Sequence, residues 1–438
     1  MYMHGTSRIN ERGHLEIGGC DTTELAKTYG TPLYVYDEAL LREKCRAFNR
    51  AFAESGFSYQ VAYASKAFLC IEMCRIVEEE NMSLDVVSGG ELYTALQAGF
   101  PAERIHFHGN NKTEAELIMA LEADIGCFVV DNFFELEVLH DLAKERGKVV
   151  NILLRVTPGV EAHTHEYITT GQDDSKFGFG ISSGQAMQAM KIAVMKPNYH
   201  VLGIHSHIGS QIFETDGFIR AIEILAAFLD IARSETGRSM KILNLGGGFG
   251  IRYTEGDTPL PVVQYVKEMT EAVREEFAKR NYPLPEIWIE PGRSIVGDAG
   301  TTLYTIGSIK EVPGIRKYVA VDGGMTDNLR PALYNAEYEA ILANRANEEP
   351  EETVSIAGKC CESGDMLIWD IKLPPVASWD LLAVSCTGAY GYSMANNYNR
   401  IPRPAVVFVK DGQAQLVVER ESYEDLIRKD RMRTSELV

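Results

Sequence analysis

Residues 241–250 read KILNLGGGFG, a short apolar run followed by three consecutive glycines. A run of that length, flanked by glycine, predicts a buried strand that delivers the chain into a tight loop. The same unit recurs on either side, as VLGIHSH at 201–207 and IWIEPGRS at 287–294. Further out, short β-branched runs lie at 59–64, 83–87, 105–108, 127–130 and 149–156, separated by longer stretches of helical period. With 201–207, 241–245 and 287–290 they make eight candidate strands of an α/β chain. A (β/α)8 TIM-like barrel typically takes about 250 residues, close to the span occupied here. A doubly wound sheet is the alternative, and the regular series of eight favours closure.

The side chains at the strand ends argue for the barrel more strongly, because barrel chemistry is built at the C-terminal face. Lys66 follows the first strand, Asp85 and Ser88 end the second, His108 ends the third, and Arg155 lies near the end of the fifth. His207 ends the sixth, Gly246, Gly247 and Gly248 follow the seventh, and Glu290 closes the eighth.

Beyond residue 300 the helical period gives way to β-rich segments: TTLYTIGSI, RKYVAVDGG, TVSIAG, LLAVSCTG and AVVFVKDGQAQLVV, the last with an Asp411-Gly412 hairpin signal. They predict a C-terminal β-sandwich or β-barrel domain. TPLYVYD, near residue 31, is a lone strand that is expected to join it. The expected domains are therefore a barrel over 38–300 and a β domain from 1–37 and 301–438. EEPEE at 348–352 reads as a solvated loop.

Composition restricts the functional classes. Of 438 residues, 45% are hydrophobic and 24% charged, ordinary values for a soluble enzyme. A net charge of -19 argues against binding nucleic acid or anionic membrane through a basic patch. The N-terminal MYMHGTSRINERGHLEIGG has no apolar signal-peptide run and no later stretch is long enough to span a bilayer, so the expected location is cytoplasmic. The eight cysteines are scattered, with only Cys70/Cys74 and Cys360/Cys361 close together, which is neither a disulfide framework nor a zinc pattern.

Lys66, in VAYASKAF, enters a partly desolvated position where a lysine can form a Schiff base with an aldehyde cofactor. A lysine after a strand is usually a solvated surface residue, so the reading needs partners. LNLGGGFG supplies one, since backbone amides without side chains can wrap a phosphate. IEPGRS supplies another, with Arg293 available to an anionic group; phosphate sites in barrels often use the loops after strands seven and eight. A carboxylate such as Glu290 against a pyridine nitrogen would keep that nitrogen protonated. Its bland alternative is a structural salt bridge, and that of His207 is a hydrogen-bonded core histidine.

Together YASKAF, DVVSGGEL, FHGNNK, HIGSQ, GGGFG, EPGRS, DGGMTDNLRPALY, CCESGD and TGAYGYSMANNYN resemble the alanine-racemase-like, fold-type III pyridoxal-phosphate decarboxylases over nearly the whole chain. RPALY, CESGD and TGAYG point to the diaminopimelate branch. The resemblance implies pyridoxal 5'-phosphate as cofactor, with Lys66 as its covalent lysine, His207 stacked on the ring and Glu290 at the ring nitrogen. It places the phosphate against Ser210, Gly247, Gly248, the loop of Pro291, Gly292 and Arg293, and Tyr390. It assigns substrate contacts to Arg293, Arg330, Tyr334, Glu362 and Tyr390, and a proton-donor role to Cys361, supplied by the other subunit of a homodimer. The implied reaction converts meso-2,6-diaminopimelate to L-lysine and carbon dioxide, the last step of lysine biosynthesis.

These assignments make chemical sense: a diamino-dicarboxylic substrate keeps a carboxylate and an ammonium far from the breaking bond, which suits an arginine and a glutamate. Two features need separate weighing. CCESGD offers two adjacent thiols, of which Cys361 alone lies in the family register; on a strand the two would face opposite ways. His163 and His165 in HTH resemble a metal pair, but their glycine- and threonine-rich surroundings favour a substrate-covering loop, so no metal is expected. The rival readings are a decarboxylase of arginine, ornithine or a carrier-linked amino acid, a racemase of the same group, and a non-catalytic pyridoxal-phosphate carrier.

Overall fold

Eight parallel strands close on themselves in chain order: Tyr59–Ala64, Ser83–Val86, Ile105–Phe107, Cys127–Val130, Val150–Thr157, Tyr199–His205, Ile242–Asn244 and Glu286–Ile289. Closure is made where Ile287 and Ile289 of the last strand pair with Tyr59 and Val61 of the first. Each strand lies within two residues of its sequence-predicted position. Strand six is the displaced one: it ends at His205, so His207 sits in the following loop rather than at the strand end. This is a computed structural model; it describes residues 1–160 and 174–433.

The barrel belongs to a unit formed by Arg42–Arg252 and Gly256–Val296. Cys127, Val129, Leu153, Ile242 and Trp288 pack together as one buried apolar cluster of the strands. Each large apolar side chain so buried contributes about 1.5–3 kcal/mol relative to exposure. The loops leaving strands two, three and four turn sharply because each ends on a capping side chain. Ser88, Thr113 and Asn132 accept from the backbone N–H of Glu91, Glu116 and Glu135. A cap of that kind is worth about 1 kcal/mol over alanine and satisfies a helix N–H that the turn would otherwise orphan. Ser88 therefore starts a helix rather than ending a strand.

Met1–Leu41, Tyr253–Glu255 and Gly297–Val438 form the second unit. Its organising element is Gly300–Val312, which pairs antiparallel with Leu33–Asp37, Leu381–Ser385 and Arg316–Val321. It can serve three partners because a register shift between Ile306 and Ile309 divides it. Leu33–Asp37 also pairs in parallel with Ala405–Lys410, so the sheet is mixed and takes in the N-terminal strand. Ala405–Lys410 continues into Gln413–Val418 through Asp411 and Gly412, both at positive φ (52° and 76°), as a two-residue hairpin turn requires. The acidic stretch 348–351 is exposed, and Glu352 begins the strand Glu352–Ala357. Among the described residues no helix is long and apolar enough to cross a membrane.

Candidate active site

The C-terminal mouth of the barrel gathers the chemistry-bearing side chains. Lys66 is exposed on a short turn, Ser65–Ala67, directly after strand one. Glu290 follows strand eight and is buried, 8% exposed. His205 donates from Nε2 to its Oε2 at 2.9 Å, Asn244 donates to its Oε1, and His108 Nε2 stands 3.1 Å from Oε1. Burial opposes ionisation of Glu290, but the imidazoles of His108 and His205 outweigh it and hold the carboxyl well below its usual range. Burial likewise works against charge on His108. The Glu290 and Asp85 carboxylates prevail and push it up to about 9. Facing ligand atoms of His108, His205 and Glu290 lie within 4.8 Å of one another, a grouping that could also hold a metal ion and that was not evident in the sequence.

His207 is tied down from its other side. Its Nδ1 accepts the Gly247 N–H at 3.2 Å. Burial, then the nearby Lys66 and Arg155 charges, keep the ring well below its ordinary pKa and hence neutral. Ser210 Oγ accepts from Arg293 Nε at 3.2 Å and from Nη2 at 3.0 Å, so the loops after strands six and eight are joined side chain to side chain.

The glycine run is fastened by its backbone to both neighbouring loops. Glu290 N–H donates to Gly246 O at 2.8 Å, and Ile212 N–H to Gly248 O at 2.9 Å. A Cβ on Gly247 would lie 2.2 Å from Glu290 O, and one on Gly248, at φ 104°, would lie 2.5 Å from Gly209 O. No residue with a side chain allows this approach. Gly292 packs comparably, its would-be Cβ 3.0 Å from that of Ala64, and Pro291 O accepts from Ala64 N–H at 3.1 Å.

The β unit holds the remaining predicted residues. Arg330 is buried at the start of the helix Arg330–Tyr334, donates from Nη1 to Tyr338 Oη at 2.6 Å and lies 4.9 Å from the Tyr253 ring centroid. Tyr334 is half-buried on the same short helix. Cys360 and Cys361 do differ in exposure, the first buried and the second exposed, but the cause is not strand alternation. The segment between Glu352–Ala357 and Met366–Leu373 is an irregular turn anchored by the buried Asp365. That carboxylate accepts from Cys360 N–H at 2.8 Å and Met325 N–H at 2.6 Å. Cys361 N–H is held by Asn399 Oδ1 at 2.7 Å, and Glu362 is exposed. Tyr390 sits at φ 58° in a loop braced by Tyr36, whose hydroxyl donates to Gly388 O at 2.7 Å. His163 and His165 lie outside the described residues.

Residues 38–297 match the family described as pyridoxal-dependent decarboxylase, pyridoxal binding domain. The chain is 66% identical to diaminopimelate decarboxylase of Halalkalibacterium halodurans and 64% identical to that of Bacillus subtilis, in both cases over 98% of each sequence. The chain belongs to the pyridoxal-dependent decarboxylases, in their diaminopimelate decarboxylase branch. A crystal structure of diaminopimelate decarboxylase from M. jannaschii in complex with L-lysine superimposes with a TM-score of 0.90 at 38% identity, covering 99% of both chains.

The barrel mouth fits the cofactor of a pyridoxal-dependent decarboxylase. It offers an amine for the aldehyde, a buried ionised carboxylate for the ring nitrogen, and a glycine run without side chains near an arginine and a serine for the phosphate. Ser65, Ser206 and Ser294, the sequence neighbours of Lys66, His207 and Arg293, carry buried hydroxyls without a hydrogen-bond partner, as a mouth shaped for a polar group would leave them. His108, His205 and Asn244 were missed as partners of Glu290. His205 carried a signal, since it is the last residue of the sixth strand and so lies at the C-terminal face of the barrel.

Proposed function

We propose that this chain decarboxylates meso-2,6-diaminopimelate to L-lysine and carbon dioxide with pyridoxal 5'-phosphate, the last step of lysine biosynthesis. The observation that carries the reading is the full-length likeness to diaminopimelate decarboxylases, 64–66% identical over 98% of each chain. When bound, pyridoxal phosphate supplies the electron sink that makes loss of a carboxylate feasible. Lys66 would hold its aldehyde, His207 would support its ring and Glu290 would accept from its ring nitrogen. Ser210, Gly247, Gly248, Pro291, Gly292, Arg293 and Tyr390 would hold its phosphate.

Arg330 and Tyr334, with Arg293, bind substrate carboxylate. Arg330 suits this because a guanidinium presents two parallel donors, and its ring contacts with Tyr253 and Tyr338 leave the fork fixed in orientation. Glu362 accepts from the distal ammonium, and Cys361 Sγ delivers the proton that replaces the lost carboxylate. The working form is a cytoplasmic homodimer in which one subunit supplies Cys361 to the other, and the acidic charge keeps it away from nucleic acid. The division of labour is a barrel for cofactor and a β domain for substrate and dimer contacts.

The test is to load the purified protein with pyridoxal phosphate and assay carbon dioxide and product from meso-diaminopimelate, ornithine, arginine and L-lysine. Lysine formed from diaminopimelate alone is the expected result. Turnover of ornithine or arginine with diaminopimelate untouched would sink the substrate assignment and leave the cofactor reading standing. A sample that is monomeric by sedimentation and still active would remove the shared-subunit role of Cys361.

A further inference from the structure

The loop after strand six holds a side chain to which the chemistry above assigns no work. Gln211, next to Ser210, is half-buried and stands at φ 59°, in the left-handed region that a residue with a Cβ enters only against a steric cost. Both ends of its side-chain amide are engaged by the backbone of one residue beyond the glycine run. Nε2 donates to Ile251 O at 2.7 Å, and Oε1 accepts the Ile251 N–H at 3.1 Å.

The loops after strands six and seven are zipped together at this point. Ile212 N–H donates to Gly248 O at 2.9 Å and Gly250 N–H to Ile212 O at 3.0 Å, which pairs Ile212 with Phe249 in parallel. Ile212 O also accepts from Tyr265 Oη at 2.7 Å. A side-chain amide carries the donor and acceptor of a peptide group, so Gln211 continues the pairing from its side chain.

Strained backbone persists where its surroundings over-determine it, and it gathers at ligand clamps. The residue fixed by this strain is the one before it. Ser210 Oγ already takes Arg293 Nε at 3.2 Å and Nη2 at 3.0 Å. On its N-terminal side stands Gly209, which has no side chain to resist a change of conformation. Relaxing residue 211 to an ordinary φ would turn the peptide that joins it to Ser210 and carry the hydroxyl away from Arg293.

We propose that Gln211 is a positioning residue: its amide clamps the loop in the left-handed turn that presents the Ser210 hydroxyl, beside Arg293, to the phosphate of pyridoxal 5'-phosphate. The inference rests on the phosphate role given to Ser210 above. A loop that reached this turn for only a fraction of the time would bind the phosphate more weakly by that fraction.

The experiment titrates pyridoxal phosphate into full-length apo-protein by fluorescence, for wild type, Gln211→Gly, Gln211→Met, Ser210→Ala and the two double variants. Glycine accepts the left-handed turn and removes the amide, whereas methionine keeps the unbranched stem, so a folding failure of one leaves the other to be read. Each Gln211 variant should bind about 10-fold more weakly than wild type, as for a cradle formed a tenth of the time. Introduced into Ser210→Ala, the same change should cost less than about 2-fold, because no hydroxyl is left to place. Equal losses in the two backgrounds, or no loss in the wild-type background, would overturn the proposal. Pyridoxal, which lacks the phosphate, should bind wild type and Gln211→Gly within about 2-fold of each other, and a loss as large as that for pyridoxal phosphate would make Gln211 a structural tie only. Ser210→Ala binding pyridoxal phosphate as tightly as wild type would remove Ser210 from the phosphate site and take the inference with it, a failure of the underlying reading that is recognised without any change at residue 211.

Discussion

Arg330 Nη1 donates to Tyr338 Oη at 2.6 Å, and the rings of Tyr253 and Tyr338, at 90° to each other and 5.6 Å apart, bracket the guanidinium. One hydroxyl cannot neutralise a buried cation, and among the described residues no carboxylate forms an ion pair with Arg330, which suits the substrate carboxylate contact proposed for it. Arg330→Lys keeps the charge but loses the planar fork. Hydrogen bonds to charged groups are worth about 1.5–3 kcal/mol, so KM for diaminopimelate should rise about 10- to 100-fold with kcat changed far less. Steady-state kinetics at saturating pyridoxal phosphate will read this, and an unchanged KM would remove Arg330 from substrate binding.

The two adjacent thiols should separate cleanly. Cys360 is buried, and desolvation with the neighbouring Asp365 carboxylate pushes its thiol up to about 12, which makes it inert. Cys361→Ala should lower kcat by about 10²- to 10⁴-fold, the range for loss of a general acid, while pyridoxal phosphate binding stays intact. Cys360→Ala should cost thermal stability and leave kcat within a few-fold. The reverse ranking in kcat would mean that the family register has been read one residue out.

Glu91 predicts a pH effect on stability. Burial, only partly opposed by the Val87 N–H and the Lys66 charge, raises its carboxyl from 4.5 to about 7. Between those values the unfolded chain has released this proton and the folded barrel still holds it, so the contribution of Glu91 falls as pH rises from 4.5 through 7 and is flat beyond. Glu91→Gln keeps an acceptor for Val87, whose N–H donates to the carboxylate at 2.7 Å, and removes the titration. Unfolding free energies of the variant apo-protein from urea titration should match wild type near pH 4.5 and exceed it at pH 8, by about 3 kcal/mol at most. An equal gap at both pH values would assign the effect to packing.

The barrel was legible because its strands are short apolar runs bounded by polar loops, a contrast that survives without any tertiary information. The β unit was less so. Met366–Leu373, MLIWDIKL, was not foreseen: Trp369 and Asp370 are both exposed and Asp370 has φ 50°, which breaks the alternation by which strands are recognised. Ala340–Leu342 is too short to make a pattern, and Tyr253–Glu255 joins the β unit from inside the barrel sequence with no composition change. At the site, Lys66, Glu290 and the glycine run were found from their position after strands. The support of Glu290 by His108 and Asn244 depends on strands far apart in sequence meeting across a closed barrel, which no local pattern encodes.

Leu33–Asp37 lies between Gly300–Val312 and Ala405–Lys410. On a ribosome this apolar strand is made early, yet its second edge is covered only after roughly 370 further residues have been added, on the order of 20–70 s at ordinary elongation rates. For that interval the nascent chain carries LYVYD with at least one unpaired edge, while the barrel can already close behind it. The late step of biogenesis is therefore the return of the C-terminal hairpin to Leu33–Asp37, and a message cut short before residue 405 would leave that strand open to other chains.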